Sequence, residues 1–202
     1  MSSWRQLIER AEPAEHVVQL YGDDDQLLTS HVTRFLVEGL KRGDGLLVIA
    51  TPGHREAIVR QVSEKDAGTA AAIEGGRLVL LDARETLDRF MVEGQPDWEL
   101  FEQAVGGICG LLRGRVGRGG IRAFGEMVGL LWIEGQYSAA IRLEEYWNRL
   151  LEANALCLFC AYPIDLFGCD FDLSKLRALL GAHTHLLAGP TTMLSSVGAP
   201  RQ

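Results

Sequence analysis

The chain has 202 residues, 47% of them hydrophobic and 23% charged, a balance that suits one globular domain with a sizeable core. Its formal net charge of −7 speaks against a nucleic-acid partner, which needs a basic face to release counterions from phosphates. No apolar run reaches the ~18 residues of a membrane span, and the acid-bearing start MSSWRQLIERAEPAEH lacks the apolar stretch of a signal peptide, so the expected location is the cytoplasm.

In chain order, residues 4–11 suit a short helix stopped before Pro13, and residues 1–15 read as an extension ahead of the domain. HVVQLY at 16–21 is the first predicted strand. Gly22-Asp23-Asp24-Asp25 then runs into a helix from about 24 to 42, on which Leu28, Val32, Phe35, Leu36 and Gly39 share a face before Gly43 ends it. GLLVIA at 45–50 is the second strand, and Thr51-Pro52-Gly53 opens a helix to about 67. After an Ala-rich turn come the strand RLVLLD at 77–82, a short helix over 83–92 and a longer helix over 97–115. IRAF at 121–124 is a strand that stops at Gly125-Glu126, followed by an amphipathic helix over 136–153 and the strand ALCLFCAY at 155–162. A helix at about 173–182, a last strand at 186–188 and a loose tail over 189–202 complete the prediction. Strands without polar alternation, separated by helices, imply an α/β fold whose mainly parallel sheet is covered on both faces.

Such sheets collect ligands in the crevice outside the carboxyl ends of their strands. Glu126, just past a strand, is therefore the first candidate; the alternative is a helix-capping role near the positive end of the dipole. His54 and Arg55 follow the second strand and belong to the same edge, as does Asp23 after the first. The acidic run Asp23-Asp24-Asp25 is read as helix capping first and as cation or polar-ligand binding second. None of Lys41, Lys65 or Lys175 has Gly before it and Ser or Thr after it, so no working P-loop is present.

Cys157 and Cys160 form a CxxC within a strand, where residues three apart point to opposite faces, so buried structural thiols are expected rather than a shared metal. Glu144 falls at the margin of the apolar face of its helix and is expected to be paired inside by an Arg from elsewhere. His31 reads as a hydrogen-bonded core histidine. His183-Thr184-His185 offers metal nitrogens without a nearby Cys, Asp or Glu in register, a weak metal signal. Arg113, Arg115, Arg118 and Arg122 either grip an anion or line a solvated helix exit, the second being favoured. No GxSxG and no Ser, His and Asp grouping nominates a catalytic residue. No cofactor and no metal are expected.

His16-Val17-Val18-Gln19-Leu20-Tyr21, Phe35 with Gly39-Leu40 and Gly43, Val48-Ile49-Ala50-Thr51 with His54-Arg55, Leu81-Asp82-Ala83, Arg122-Ala123-Phe124-Gly125-Glu126-Met127-Val128, Leu131-Trp132 with Gly135, Leu143-Glu144 with Trp147-Asn148, and Cys160-Ala161-Tyr162-Pro163 together resemble the MEDS family, the methanogen/methylotroph sensory domain. The likeness runs from about residue 16 to 183. It implies a three-layer sandwich related to RecA- and KaiC-type ATPases with the phosphate-binding loop worn away, here assigned to residues 16–188. It also implies a sensory role, since such domains occur in regulators of one-carbon and halomethane metabolism and joined to sensor histidine kinases. No kinase or helix-turn-helix segment follows in this sequence, so output is expected to pass through a separate regulatory protein such as a histidine kinase or transcription regulator.

The leading expectation is a non-catalytic sensory domain that binds a small molecule at the carboxyl edge of its sheet. Tyr21, Asp23, His54, Arg55, Glu126 and Tyr162 are expected to line the pocket, with Glu126 and His54 fixing a polar ligand group. The alternative is a nucleotide-binding protein or ATPase-like enzyme with a degenerate RecA-like site in which Glu126 activates water. A purely structural interaction module is a third reading, and a homodimer is the expected assembly.

Overall fold

The computed structural model describes residues 8–9, 12–117, 119–164, 179 and 181–188. In chain order they form β1 (His16–Leu20), α1 (Asp25–Arg42), β2 (Gly45–Ala50), α2 (Pro52–Lys65), α3 (Thr69–Glu74), β3 (Leu78–Asp82), α4 (Ala83–Asp88), β4 (Met91–Val92), β5 (Gln95–Pro96), α5 (Trp98–Phe101), a π-helical turn (Glu102–Gly106), α6 (Gly107–Val116), β6 (Ile121–Gly125), α7 (Met127–Ile133), α8 (Tyr137–Asn154), β7 (Leu156–Tyr162) and β8 (His185–Ala188). The expected helix over 4–11, that over 173–182 and the tail over 189–202 fall wholly or mostly outside the described residues. No helix among the described residues is long and apolar enough to cross a membrane.

Six strands make one parallel sheet in the order β3-β2-β6-β7-β1-β8. β1, β2, β6 and β7 are buried along their whole length, which explains their uninterrupted apolar sequences. Alternate residues feed two separate cores. On one face Leu46, Val48, Phe124 and Phe159 pack against Phe35 and Leu36 of α1 and Ile58 and Val62 of α2. On the other, Leu47, Ile49, Ala123 and Leu158 meet Leu87, Phe101, Leu131 and Trp147 from the helices of the second half. The result is the expected α/β architecture, a sheet between two helical layers.

Local chemistry sets the boundaries. Asp24 caps α1 by accepting a hydrogen bond from the Leu27 amide at 2.8 Å, and Gly43 closes it in the left-handed conformation at φ 77°. Three details differ from expectation. The helix over 83–92 ends early, because Met91–Val92 and Gln95–Pro96 form a small antiparallel hairpin. The helix beginning after Asp97 loosens into a π turn. Between β6 and α8 lies the additional helix α7, apolar almost all round and so without a periodic signal.

Arg122 also departs from the solvated exit expected for it. Only 2% exposed, it lies in the α1 core, where its Nε donates to Asp44 at 3.0 Å and its guanidinium reaches the carbonyls of Ile8 and Phe35. The face of the Phe35 ring covers it at 5.0 Å. A buried cation is tolerated because each side of the fork is answered. Arg113 and Arg115 instead bind carbonyls, of Gly119 and Asn154 and of Gly76 respectively, and Arg118 lies outside the described residues.

Candidate functional site

Strand order decides where the site lies. From β2 the chain travels through α2 and α3 to β3 on one side, whereas from β6 it travels through α7 and α8 to β7 on the other. Neighbouring strands whose exits diverge leave a crevice at their carboxyl ends, the usual ligand position in such sheets. Thr51 and Glu126 occupy the two sides of that crevice.

Glu126 stands at the N-cap position of α7 but makes no side-chain cap to it. Its carboxylate turns across the crevice instead: Oε2 accepts the Thr51 amide at 2.7 Å, and Oε1 is paired with Nδ1 of His54. The Glu126 amide meanwhile donates to Ile49 at 3.0 Å, so backbone and side chain both tie β6 to β2. The other ring nitrogen of His54, Nε2, lies 3.2 Å from Asp25 Oδ1. His54 thus joins a carboxylate that is 4% exposed to one whose side chain is 68% exposed. The hydrogen bond to Glu126 raises the imidazole pKa, with the charges of Glu126 and Asp25 adding to it and partial burial opposing it.

Tyr21 lies edge-on to His54, ring centroids 6.2 Å apart, and burial with the charges of Glu126 and Asp25 pushes its phenol well up, so it stays neutral. In front of His54, between the first turns of α1 and α2, opens a cleft of about 730 Å³ lined by Asp25, Gln26, Thr51, His54, Arg60 and Gln61, among others. The Thr29 hydroxyl accepts from Gln61 at 3.1 Å and donates to the Asp25 carbonyl at 2.9 Å, while Thr33 donates to Gln61 at 3.1 Å. These bonds fix the two helices against each other beneath the cleft.

The structure brings His54, Glu126 and Tyr21 together, but of the six residues expected to line the pocket only His54 is in the cleft wall, with Glu126 and Tyr21 adjoining it. Asp23 and Arg55 are not among the lining residues; Asp25 and Arg60 take those places. Tyr162 is a clear correction. Alternate residues of β7 face opposite layers, and Tyr162 falls with Leu158 and Cys160 on the α8 side, where its hydroxyl donates to Glu144 at 2.6 Å. Asp25 is readable in the sequence only as one of three acids, and the lining roles of Arg60 and Gln61 depend on helix rotation, for which the sequence carries no signal beyond periodicity.

A second polar cluster lies on that α8 side. Glu144 is fully buried, and histidines rather than an arginine surround it: His16 Nε2 lies 3.3 Å from its Oε2, and His183 Nε2 lies 3.1 Å from its Oε1. Burial would push its pKa up, but His183 and His16 together with the Tyr162 hydroxyl hold the carboxyl at about 2. Burial lowers His16 to about 4 despite Glu144. Cys157 and Cys160 do face opposite layers, as strand geometry requires, yet Cys160 is more than core filling: its Sγ lies 3.3 Å from His16 Nε2 and 3.6 Å from Glu144 Oε2. His183 accordingly has the Cys and Glu neighbours that its local sequence lacks. His185, two residues on, pairs with Glu15 instead. His31 is a buried histidine hydrogen-bonded to Gln19 at 3.0 Å, as expected.

Comparison with the curated proteins finds no match. The family model described as the MEthanogen/methylotroph, DcmR Sensory domain matches residues 15–184, from just before β1 to the residue that precedes β8, and the chain therefore belongs to the MEDS family of sensory domains.

Proposed function

We propose that this domain senses a small polar molecule in the cleft between α1 and α2 and reports its presence to a separate regulatory protein, such as a histidine kinase or transcription regulator, in the cytoplasm. The observation that carries this reading is the Asp25, His54 and Glu126 chain at the carboxyl edge of the sheet. Its inner end is anchored by Thr51, while its outer end is an exposed carboxylate that an incoming group can displace from His54 Nε2. The raised imidazole pKa favours the protonated ring, in which Nε2 is a donor, and Arg60 adds a guanidinium at the cleft. The ligand is accordingly a small metabolite carrying a hydrogen-bond acceptor, a carboxylate or a carbonyl. Displacing Asp25 would free the first turn of α1, which is the route by which occupancy reaches the surface.

Both Glu126 oxygens are engaged by Thr51 and His54. That supports an anchoring role over the activation of water that a nucleotide hydrolase requires. The parallel sheet with helices on both faces supports reading the scaffold as a RecA- and KaiC-like ATPase core put to sensory use.

A panel of small carboxylates and carbonyl compounds read by thermal shift tests the proposal. A true ligand at 100 times its Kd stabilises by about 2.7 kcal/mol, and His54→Ala should abolish the shift. A panel without a hit, or a hit that His54→Ala and Arg60→Ala both leave intact, would sink the assignment. Titration with ATP and Mg²⁺ is expected to give no binding heat.

A further inference from the structure

The cluster on the α8 side has no part in the cleft, and the outer nitrogen of each of its two imidazoles is already held by a fixed oxygen. Asn148 donates its amide to the Ala182 carbonyl at 3.1 Å, which leaves its Oδ1 facing His16 Nδ1 at 2.8 Å. An oxygen that only accepts requires Nδ1 to carry a proton. His183 Nδ1 likewise faces the Leu179 carbonyl at 2.7 Å. When neutral, both imidazoles therefore turn a bare Nε2 lone pair inward, towards a buried carboxylate and a thiol; for His183, against its burial, the charge of Glu144 raises the pKa and favours a proton on Nε2. Tyr162 supplies one proton to Glu144 Oε1, and Cys160 supplies one more, to His16 or to Oε2 but not to both. His183 Nε2, on a side chain 1% exposed, has no hydrogen-bond partner by strict geometry among the described residues, and its contact is the 3.1 Å approach to Glu144 Oε1, an ion pair when the ring is protonated. With both rings neutral, buried lone pairs would face one another, a costly arrangement that a proton or a metal cation relieves.

A histidine that gives its outer N–H to a fixed oxygen and presents the other nitrogen inward is the usual arrangement of a metal-ligating imidazole. Spacing agrees. Metal bonds of ~2.0–2.3 Å meeting near the tetrahedral angle separate neighbouring donors by roughly 3.3–3.6 Å. The contacts of His16 Nε2 with Cys160 Sγ, of His16 Nε2 with Glu144 Oε2, and of Cys160 Sγ with Glu144 Oε2 measure 3.3, 3.3 and 3.6 Å. One donor atom from each of His16, Glu144, Cys160 and His183 lies within 4.8 Å of all the others.

We infer that His16, Glu144, Cys160 and His183 form a closed site for a divalent transition-metal ion of the zinc class. Two imidazoles, one thiolate and one carboxylate are a borderline-soft set that suits zinc or cobalt(II) and not calcium or magnesium. Charge balances within the core: the ion brings +2, Glu144 is already −1, and Cys160 becomes −1 by releasing its thiol proton to solvent. Any proton carried by His183 Nε2 leaves with it. With four protein donors the site is structural or regulatory rather than catalytic. Its ligands come from the start of β1, from α8, from β7 and from the residues just before β8, so the ion fastens the edge of the sheet to its centre.

Chelator-stripped full-length protein titrated with cobalt(II) should take up one equivalent and develop thiolate-to-metal charge-transfer and tetrahedral visible bands, which one equivalent of zinc then bleaches. Cys160→Ala should lose the charge-transfer band. Asn148→Ala, which frees the His16 ring, should weaken binding by roughly 10–100-fold. His185→Ala should change nothing. X-ray absorption of the zinc-loaded wild type, independent of how any variant folds, should count one sulfur and three nitrogen or oxygen neighbours. Folded wild type that takes up no ion, a shell of oxygens alone, or an unchanged cobalt spectrum in Cys160→Ala would each overturn the assignment.

Discussion

Two buried charges, Glu126 and Arg122, do opposite jobs at the scale of single residues. Glu126 holds an imidazole in a working position, so its loss should be felt first in protonation. The folded pKa of His54 lies above its unfolded value. Stability from the pair is therefore fully present below about pH 6.5 and fades as pH rises through the folded value. Denaturant midpoints measured from pH 6 to pH 9 should fall with a slope that Glu126→Gln largely removes, and NMR titration should find the His54 pKa lower in that variant. At pH 6, Glu126→Gln should also cost about 1–3 kcal/mol, since a charge-assisted bond to Thr51 is weakened in a buried position. Arg122, by contrast, serves the packing alone, closing the hydrogen bonds of Asp44 and two carbonyls in the α1 core. Arg122→Ala removes the cation that faces Asp44 and leaves that carboxylate only the Gly120 amide, and chemical denaturation should show a loss of about 3–5 kcal/mol.

Helices approach the sheet as closely as their small residues allow. Gly129 is the tightest instance on the α7 side, where a Cβ would lie 2.7 Å from the Ala161 carbonyl oxygen of β7. Backbone cannot yield as a flexible side chain does, so Gly129→Ala should lower stability by about 1–3 kcal/mol despite its better helix propensity. Denaturation of Gly129→Ala and Gly106→Ala side by side checks this, because the contacts at Gly106 are no closer than 3.3 Å and are made to side chains, which can give. How much of the fold is legible in the sequence follows the same logic of elements. Each main strand announces itself as an apolar run of strand length bounded by Gly, Asp or Pro. Helix α7 does not, because MVGLLWI is apolar on every side, and the hairpin does not, because its strands have two residues each. His54 and Glu126 are legible from their positions just past strands. Tyr162 is not, because being last on a strand fixes its edge but not its face. The grouping of His16, Glu144, Cys160 and His183 is illegible, since four distant residues meet there only through strand order and helix rotation.

Across the whole molecule, the strand made first is not at an edge but inside the sheet, between β7 and β8. β2 and β3 pair across a short crossover, Leu46 opposite Leu78, whereas β1 pairs Val17 with Phe159 and with His185. Contacts so remote in sequence cost the most loop entropy and form late. Val18→Ala in β1 should therefore act mainly on the unfolding rate in chevron kinetics, while Leu47→Ala in β2 should slow refolding as well. The same arrangement bears on how the chain is born. His16 leaves the ribosome 168 residues ahead of Thr184, whose hydroxyl accepts its amide. At translation speeds of ~5–20 residues per second, that is a wait of roughly 10–30 s. Through that interval an apolar ribbon travels without its flanking strands, exposed to every other nascent chain nearby. Any need for a chaperone is therefore expected to fall during synthesis rather than on the finished fold.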